Sequence, residues 1–299
     1  MTTLILLIII IALVFDFLNG MNDAANSVAT VVATRVLSPK AAVAWAAFFN
    51  FVAAFVFGVA VAKTIGKGII DPLIITNRLL LAALTGAIIW TWFCTRLGLP
   101  ISVSHSLIGG LVGGGLAAAG FKSLIFSGIG RVTLFIFLSP LVGMLFAIAF
   151  TLVTHRLFFK WELKKIDRVF GKLQLVSAAA YSLSHGTNDA QKTMGIIAIL
   201  LYSSGLLGPV FYVPFWVVIT CHAAIALGTL AGGWKVVATM GLKLTKLRPV
   251  GGFCAETASA LSITAASLAG IPVSTTHTIA GGILGVGTIT NISAVHWSL

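Results

Sequence analysis

The sequence predicts an all-α polytopic membrane protein made of two internal repeats, with re-entrant or broken helices at the site they share. Three observations predict it. Apolar residues make up 59% of the 299 residues and charged ones only 9%, against about 25% charged in an ordinary soluble domain. So few charges cannot cover a soluble fold of this size, which excludes a water-soluble enzyme, a disordered tail and a nucleic-acid module. Long apolar stretches broken by short polar ones favour helices over the alternating strands of a membrane barrel. Finally, two polar motifs each occur twice, in the same order.

The apolar stretches fall near 4–34, 41–62, 77–97, 101–120, 132–155, 174–204, 211–233, 250–269 and 273–290, and about 20 residues span a bilayer. Met1 to Phe15 has no Lys/Arg n-region and no small-residue cleavage site, so it is read as the first membrane helix rather than a signal peptide. The first and sixth stretches are long, and each holds an Asn-Asp pair. Segment 156–173 begins RLFFKWELKKIDRVFGK, with six Lys/Arg and two acids. It is expected to be an amphipathic interfacial or cytoplasmic helix dividing a first membrane repeat, 1–155, from a second, 174–299. Stretch 132–155 has no partner after Gly287, so the second repeat is expected to lack its last helix.

The charge balance is 19 Lys+Arg against 7 Asp+Glu, a net +12. Arg35, Lys40, Lys63, Lys67, Arg96 and Lys122 sit where apolar spans end. That is the distribution of topology signals and lipid headgroup contacts in a multi-pass protein, expected in the cell's inner (plasma) membrane, and not of a nucleic-acid surface. A homodimer is compatible with this composition. Asp71, Glu162 and Asp167 lie in polar breaks, whereas Asp16, Asp23, Asp189 and Glu256 lie inside apolar stretches. A charge there costs roughly 2.5–3.5 kcal/mol on insertion scales, which marks these four as functional candidates. Cys94, Cys221 and Cys254 form no CxxC and read as small core residues.

The repeats are explicit. Gly20-Met21-Asn22-Asp23-Ala24 recurs as Gly186-Thr187-Asn188-Asp189-Ala190, an offset of 166. Leu99-Pro100-Ile101-Ser102-Val103-Ser104-His105 recurs as Ile271-Pro272-Val273-Ser274-Thr275-Thr276-His277, an offset of 172 shared by Gly109-Gly110 and Gly281-Gly282, by Lys63 and Lys235, and by Asn50 and His222. Duplicated halves with polar motifs at membrane depth are the mark of a secondary transporter. With five crossings per half and 156–173 on one side of the membrane, the halves come out inverted.

Pro100 and Pro272 suit a helix's first turn. The hydroxyls of Ser102, Ser104 and Ser106, and of Ser274, Thr275, Thr276 and Thr278, follow at once. Free N–H groups at a helix start, the positive end of its dipole and neutral donors together make an anion site. Two facing starts would enclose one tetrahedral oxyanion. His105 and His277 close the motifs, where they orient hydroxyls or meet the substrate. Asn22, Asp23 and Asn26, with Asn188, Asp189 and Gln191, put hard oxygen ligands inside apolar helices, which suits a coupling cation. As a metal site for Na+, the expected ligands are Asn22, Asp23, Asn188 and Asp189, and Na+ is favoured over H+. Gly20 and Gly186 suggest local unwinding there. Lys192 balances Asp189 or attracts the anion. Glu256 is a candidate proton or sodium carrier with apolar Leu84 as its counterpart, and His185 is a candidate for proton coupling. His155, His222 and His296 read as structural or interfacial.

These residues resemble the PiT family of inorganic phosphate transporters, through GMNDAANSVAT, SHGTNDAQKTMGIIA, PISVSH, GGFCAETASA and PVSTTHTIAGGILGVG. The second signature resembles the bacterial branch. The resemblance covers nearly the whole chain. It implies an inverted repeat, symport of phosphate with Na+ or H+, a midplane site, roles for Asp23, Asp189 and Glu256 in transport, and phosphate contacts from the Ser/Thr residues after Pro100 and Pro272. Asn50 departs from the family, some members of which carry Glu there. The family also continues past residues 294–297 with another helix. An H+-coupled permease for sulfate or another tetrahedral oxyanion is the alternative. Monohydrogen phosphate can donate a proton to a buried carboxylate, whereas sulfate cannot. An intramembrane enzyme has no need of two equal anion sites, and a channel would spread polar residues along a pore. No catalytic residues and no cofactor beyond the coupling ion are expected.

Overall fold

The computed structural model describes residues 3–56, 58–243 and 246–295. Helix α1 is Thr3–Ala33, followed by α2, Pro39–Val52, a short 3-10 turn, Ala53–Phe55, and α3, Ala60–Gly68. Then come α4, Asn77–Leu97, α5, Val103–Ala119, α6, Phe126–Phe158, and α7, Leu163–Ser203. The chain continues through α8, Phe215–Ala231, α9, Trp234–Lys243, α10, Pro249–Leu268, and α11, Thr275–Thr290. By length and composition four of these can cross a membrane, beginning at Thr3, Asn77, Val103 and Phe126, and the count rises to six if each bent pair forms one span. Large apolar side chains such as Phe137, Leu145, Trp90 and Phe93 point outward, as lipid-facing positions require.

Two hairpins, α4–α5 and α10–α11, correspond residue for residue. Each first helix ends at a left-handed glycine, Gly98 at φ 75° and Gly270 at φ 68°, a conformation costly for any residue with a Cβ. The chain then runs through Pro100 or Pro272 to an N-cap serine, Ser102 or Ser274. A glycine at equal depth lets each pair of helices close. A Cβ on Gly110 would lie 2.5 Å from the Ala83 carbonyl oxygen, and one on Gly282 3.0 Å from that of Ala255. These are the broken helices the sequence anticipates.

The apolar interior falls into two clusters. On α1, Ile5 to Phe15 belong to the first and Ala25 to Val31 to the second. On α7 the order is opposite: Ala178 and Tyr181 lie in the second cluster, Ala190 to Leu201 in the first. The polar residues Asp16 to Asp23 and Ser182 to Asp189 lie between the clusters on their respective helices.

Several expectations are corrected. Helices α1 and α7 run unbroken through both Asn-Asp pairs, so nothing unwinds at Gly20 or Gly186. Those glycines admit neighbouring backbone instead, the Ile225 carbonyl at Gly20 and the Asn50 backbone at Gly186. Segment 156–173 is no separate helix: the chain leaves the helix only between α6 and α7, and Leu163 onward is continuous with the membrane part of α7. Phe170 anchors that extension, its ring 5.3 Å from Phe158 and 5.4 Å from Phe253. The second apolar stretch holds α2 and the start of α3, and the seventh holds α8 alone; α9 follows it, the two helices bending by 74° about Gly232, whose φ is 67°. His296 lies outside the described residues, as does the expected lack of a final helix.

Candidate substrate and cation site

Two helix starts and the middles of α1 and α7 meet in a closed polar centre. Asp23, Asp189, His185, Lys192, Thr275 and Thr276 are all buried there. The contacts come in matched pairs, one pair made within the repeats and one pair across them. Asn22 Nδ2 donates to Thr95 Oγ1 at 2.8 Å, and Asn188 Nδ2 donates to Ser267 Oγ at 2.8 Å. Thr276 Oγ1 donates to the Ile101 carbonyl at 3.0 Å, and Ser104 Oγ to the Val273 carbonyl at 3.4 Å. Each repeat therefore holds the other's hairpin break.

The pairing departs from symmetry at one place. By the offset of 166, Lys192 stands where the first repeat has Asn26. Asn26 Nδ2 donates to Thr276 Oγ1 at 2.9 Å. The Lys192 ammonium donates to the equivalent hydroxyl, Ser104 Oγ, and also to Asp189 Oδ1 at 2.5 Å and the Val273 carbonyl at 2.9 Å. Thr275 Oγ1 donates to Asp189 Oδ2 at 3.1 Å, and Thr276 Oγ1 lies 3.1 Å from Asp23 Oδ1. The Asn22 and Asn188 amide oxygens differ too. Asn188 Oδ1 accepts from Val273 N at 3.3 Å, whereas Asn22 Oδ1 has no partner among the described residues. The two oxygen pairs expected to be equivalent for a coupling cation are thus not equivalent: the second is already engaged by an ammonium and a backbone N–H.

His185 joins the halves. Its Nδ1 is 3.1 Å from Asn50 Oδ1, and Asn50 Nδ2 donates to Thr229 at 3.0 Å. With Nδ1 facing the amide oxygen, Nε2 is left 3.3 Å from Asp189 Oδ2 and 3.8 Å from Asp23 Oδ2. Imidazole and two carboxylates converge within 4.8 Å of one another. A proton or a cation between them relieves the repulsion that this arrangement otherwise imposes.

Other predicted residues fall outside the centre or do different work. Ser102 and Ser274 are helix caps, accepting from His105 N at 3.3 Å and His277 N at 3.2 Å. Ser106 and Thr278 hydroxyls bond back to the carbonyls of those same caps. His105 and His277 stack edge to face at 5.3 Å, half-buried. Gln191 caps α3: its Oε1 accepts from Val61 N at 2.8 Å, and its Nε2 donates to the Gly58 carbonyl at 2.7 Å. Its place opposite the interruption between α2 and α3 explains why it does not turn to the centre. Glu256 is held by Thr30 and Ser177, each at 2.5 Å, and by Gln174 at 3.0 Å, so both its oxygens are satisfied away from Asp23 and Asp189. His222 bonds the Asn50 carbonyl at 2.9 Å, a structural role as read, and His155 is exposed. Asn50, Tyr181, Thr95 and Ser267 complete the surroundings and carry little sequence signal; only the offset linking Thr95 to Ser267 could have found the last two.

An open cavity of about 420 Å³ lies against the second hairpin, lined by Lys63, Thr64, Thr187, Gln191, Ser267 and Gly270. A neighbouring hollow adds Lys67 and Arg131 and shares Lys63. At the first hairpin Lys235, the counterpart of Lys63, packs over Gly98 and donates to the Arg96 carbonyl at 3.1 Å.

Residues 19–299 match the model of the phosphate transporter family. A protein of Rhizobium meliloti (strain 1021), named "Probable low-affinity inorganic phosphate transporter", is 58% identical over 98% of this chain and 87% of its own. A protein of the same name in Bacillus subtilis (strain 168) is 42% identical over 98% of this chain and 89% of its own. A solved structure titled "The sodium-dependent phosphate transporter" superposes with a TM-score of 0.87 at 26% identity, covering 99% of this chain and 92% of that one.

Proposed function

The chain belongs to the phosphate transporter family, and on that premise we propose that it carries phosphate by symport with Na+ across the cell's inner (plasma) membrane, its two repeats inverted. The opposite order in which α1 and α7 pass through the two apolar clusters supports the inversion. The observation that carries the transport reading is the Lys192 ammonium, shared between Asp189 and Ser104 at the start of α5. Phosphate docks at the two helix starts, on the hydroxyls of Ser104, Thr275 and Thr276 and on free backbone N–H groups. Lys192 then shares its charge with a phosphate oxygen, and Asp189 keeps the ammonium in place when the anion leaves. Neutral donors and one shared cation bind the anion without the tight grip of an Arg fork, so it can be released.

Na+ takes the first-repeat side, on the Asp23 carboxylate and the Asn22 amide oxygen. In the second repeat Lys192 holds the equivalent place. The basic hollow around Lys63, Lys67 and Arg131 attracts the anion toward the second hairpin. A second reading, coupling to H+, is favoured by His185 Nε2 facing both carboxylates. Uptake of labelled phosphate into proteoliposomes separates them. Uptake driven by a Na+ gradient at equal pH on both sides is expected; equal uptake driven by a pH gradient in Na+-free buffer selects H+.

A further inference from the structure

Asp16 takes no part in the centre described above. It lies on α1 seven residues before Asp23, about 10 Å along the helix axis. Its side chain is fully buried, and neither carboxyl oxygen has a hydrogen-bond partner among the described residues. It faces Asn19 on its own helix, Thr193 on α7 and Cys221 on α8, without a hydrogen bond of normal geometry to any of them. Asn19 Oδ1 and Thr193 Oγ1 are likewise buried and unpartnered. No ion pair reaches Asp16 among the described residues, and Lys192 is committed to Asp189.

A buried carboxylate with no donor is expensive. The adjacent hydroxyl and amide do not close a hydrogen bond of normal geometry onto this one, and their own oxygens are idle as well. Four side-chain oxygens on two helices, one pair anionic, are the ligand chemistry of a hard cation. Such an ion would join α1 to α7 one layer away from the substrate. We propose that Asp16, Asn19 and Thr193 form a second cation site, for Na+, distinct from the Asp23 side of the centre. Binding there does not depend on the transport reading, although its use in coupling does.

The test is equilibrium binding of radiolabelled Na+ to the purified chain in lipid nanodiscs, at fixed pH and without phosphate. Asp23→Asn is expected to retain a class of Na+ binding that Asp16→Asn loses, with affinity at that class falling at least about tenfold. Asn is nearly isosteric with a protonated Asp, so a carboxyl that is permanently neutral and structural predicts no change; Asp16→Asn protein that binds Na+ like the parent overturns the site. Should Asp16→Asn fail to give monodisperse protein, Thr193→Val decides, with an expected weakening of about three- to tenfold and unchanged affinity as the overturning result. Na+-independent phosphate uptake by the parent would defeat the coupling reading while leaving this binding result standing.

Discussion

In the first repeat, Asp23 meets a threonine hydroxyl and lies beside neutral amides; in the second, Asp189 meets a threonine hydroxyl and a lysine ammonium. The hairpins that frame these two half-sites share their left-handed glycine, their serine cap and their close-packed glycine. Duplication has kept the scaffold and let the charge diverge. One aspartate has a counter-ion on a four-carbon stem within its own repeat, while the other has no lysine or arginine paired with it among the described residues. The difference extends to access, since the second hairpin opens onto a basic hollow and the first is covered by Lys235.

Replacing each aspartate should break this comparison most visibly. Asp23→Asn and Asp189→Asn are both expected to abolish coupled uptake. Asp189→Asn also strands a buried ammonium and should cost about 3–5 kcal/mol of stability. Asp23→Asn loses a hydrogen bond to a charged group, about 1.5–3 kcal/mol. Denaturation of both variants in detergent checks the difference, and equal losses would remove the asymmetry. Next in size is Lys192→Asn, which restores the first-repeat residue. Phosphate affinity should fall roughly ten- to 100-fold with the loss of a charged donor, and activation of uptake by Na+ should become steeper as a second ion enters beside Asp189. Titration calorimetry and Na+ activation curves measure the two effects.

Ser104→Ala and Thr276→Ala come third. Each removes one neutral donor, about 0.5–1.5 kcal/mol, so binding should weaken about two- to tenfold. The two serve one anion, and the double variant should not be additive; parent-like affinity in both would move the anion site toward Lys192 alone. Smallest in transport terms are Ser102→Ala and Ser274→Ala. As caps they should cost about 0.5–2 kcal/mol of stability apiece and leave phosphate affinity unchanged.

Much of this was legible in the chain. Hydrophobic length located nearly every helix, and the doubled PxSxxH and Asn-Asp motifs named most of the residues that meet in the polar centre. What stayed hidden has physical causes. Helix α9, Trp234–Lys243, is too short to register as a span of its own, and its mate α3 merges with α2 in any hydropathy window. Glycine was read at Gly20 and Gly186 as a point of unwinding, but without a Cβ it serves equally for close helix contact, and only the neighbour decides. Gln191 caps a helix some 130 positions away in sequence, a contact no local pattern encodes. The equivalence of Lys192 with Asn26 was present in the offset, yet its meaning depends on Ser104 arriving from the other repeat and on Val273 from the far hairpin of its own.

The remaining glycines say which parts can move. Helices α1 and α8 touch backbone to backbone at Gly20 and Gly228, whose missing Cβ atoms would collide with the carbonyls of Ile225 and Phe17. Helices α6 and α11 are seamed three times, at Gly143, Gly281 and Gly285, against Thr278, Pro140 and Met144. Surfaces meshed at that distance have no side chains to repack and cannot slide. Each pair must travel as a single rod, so Asp23 keeps company with α8, and Thr275 and Thr276 with α6, throughout a transport cycle. The give has to lie between rods, at faces lined by jointed side chains. His105 against His277 is one such face, and it would part before any seam did.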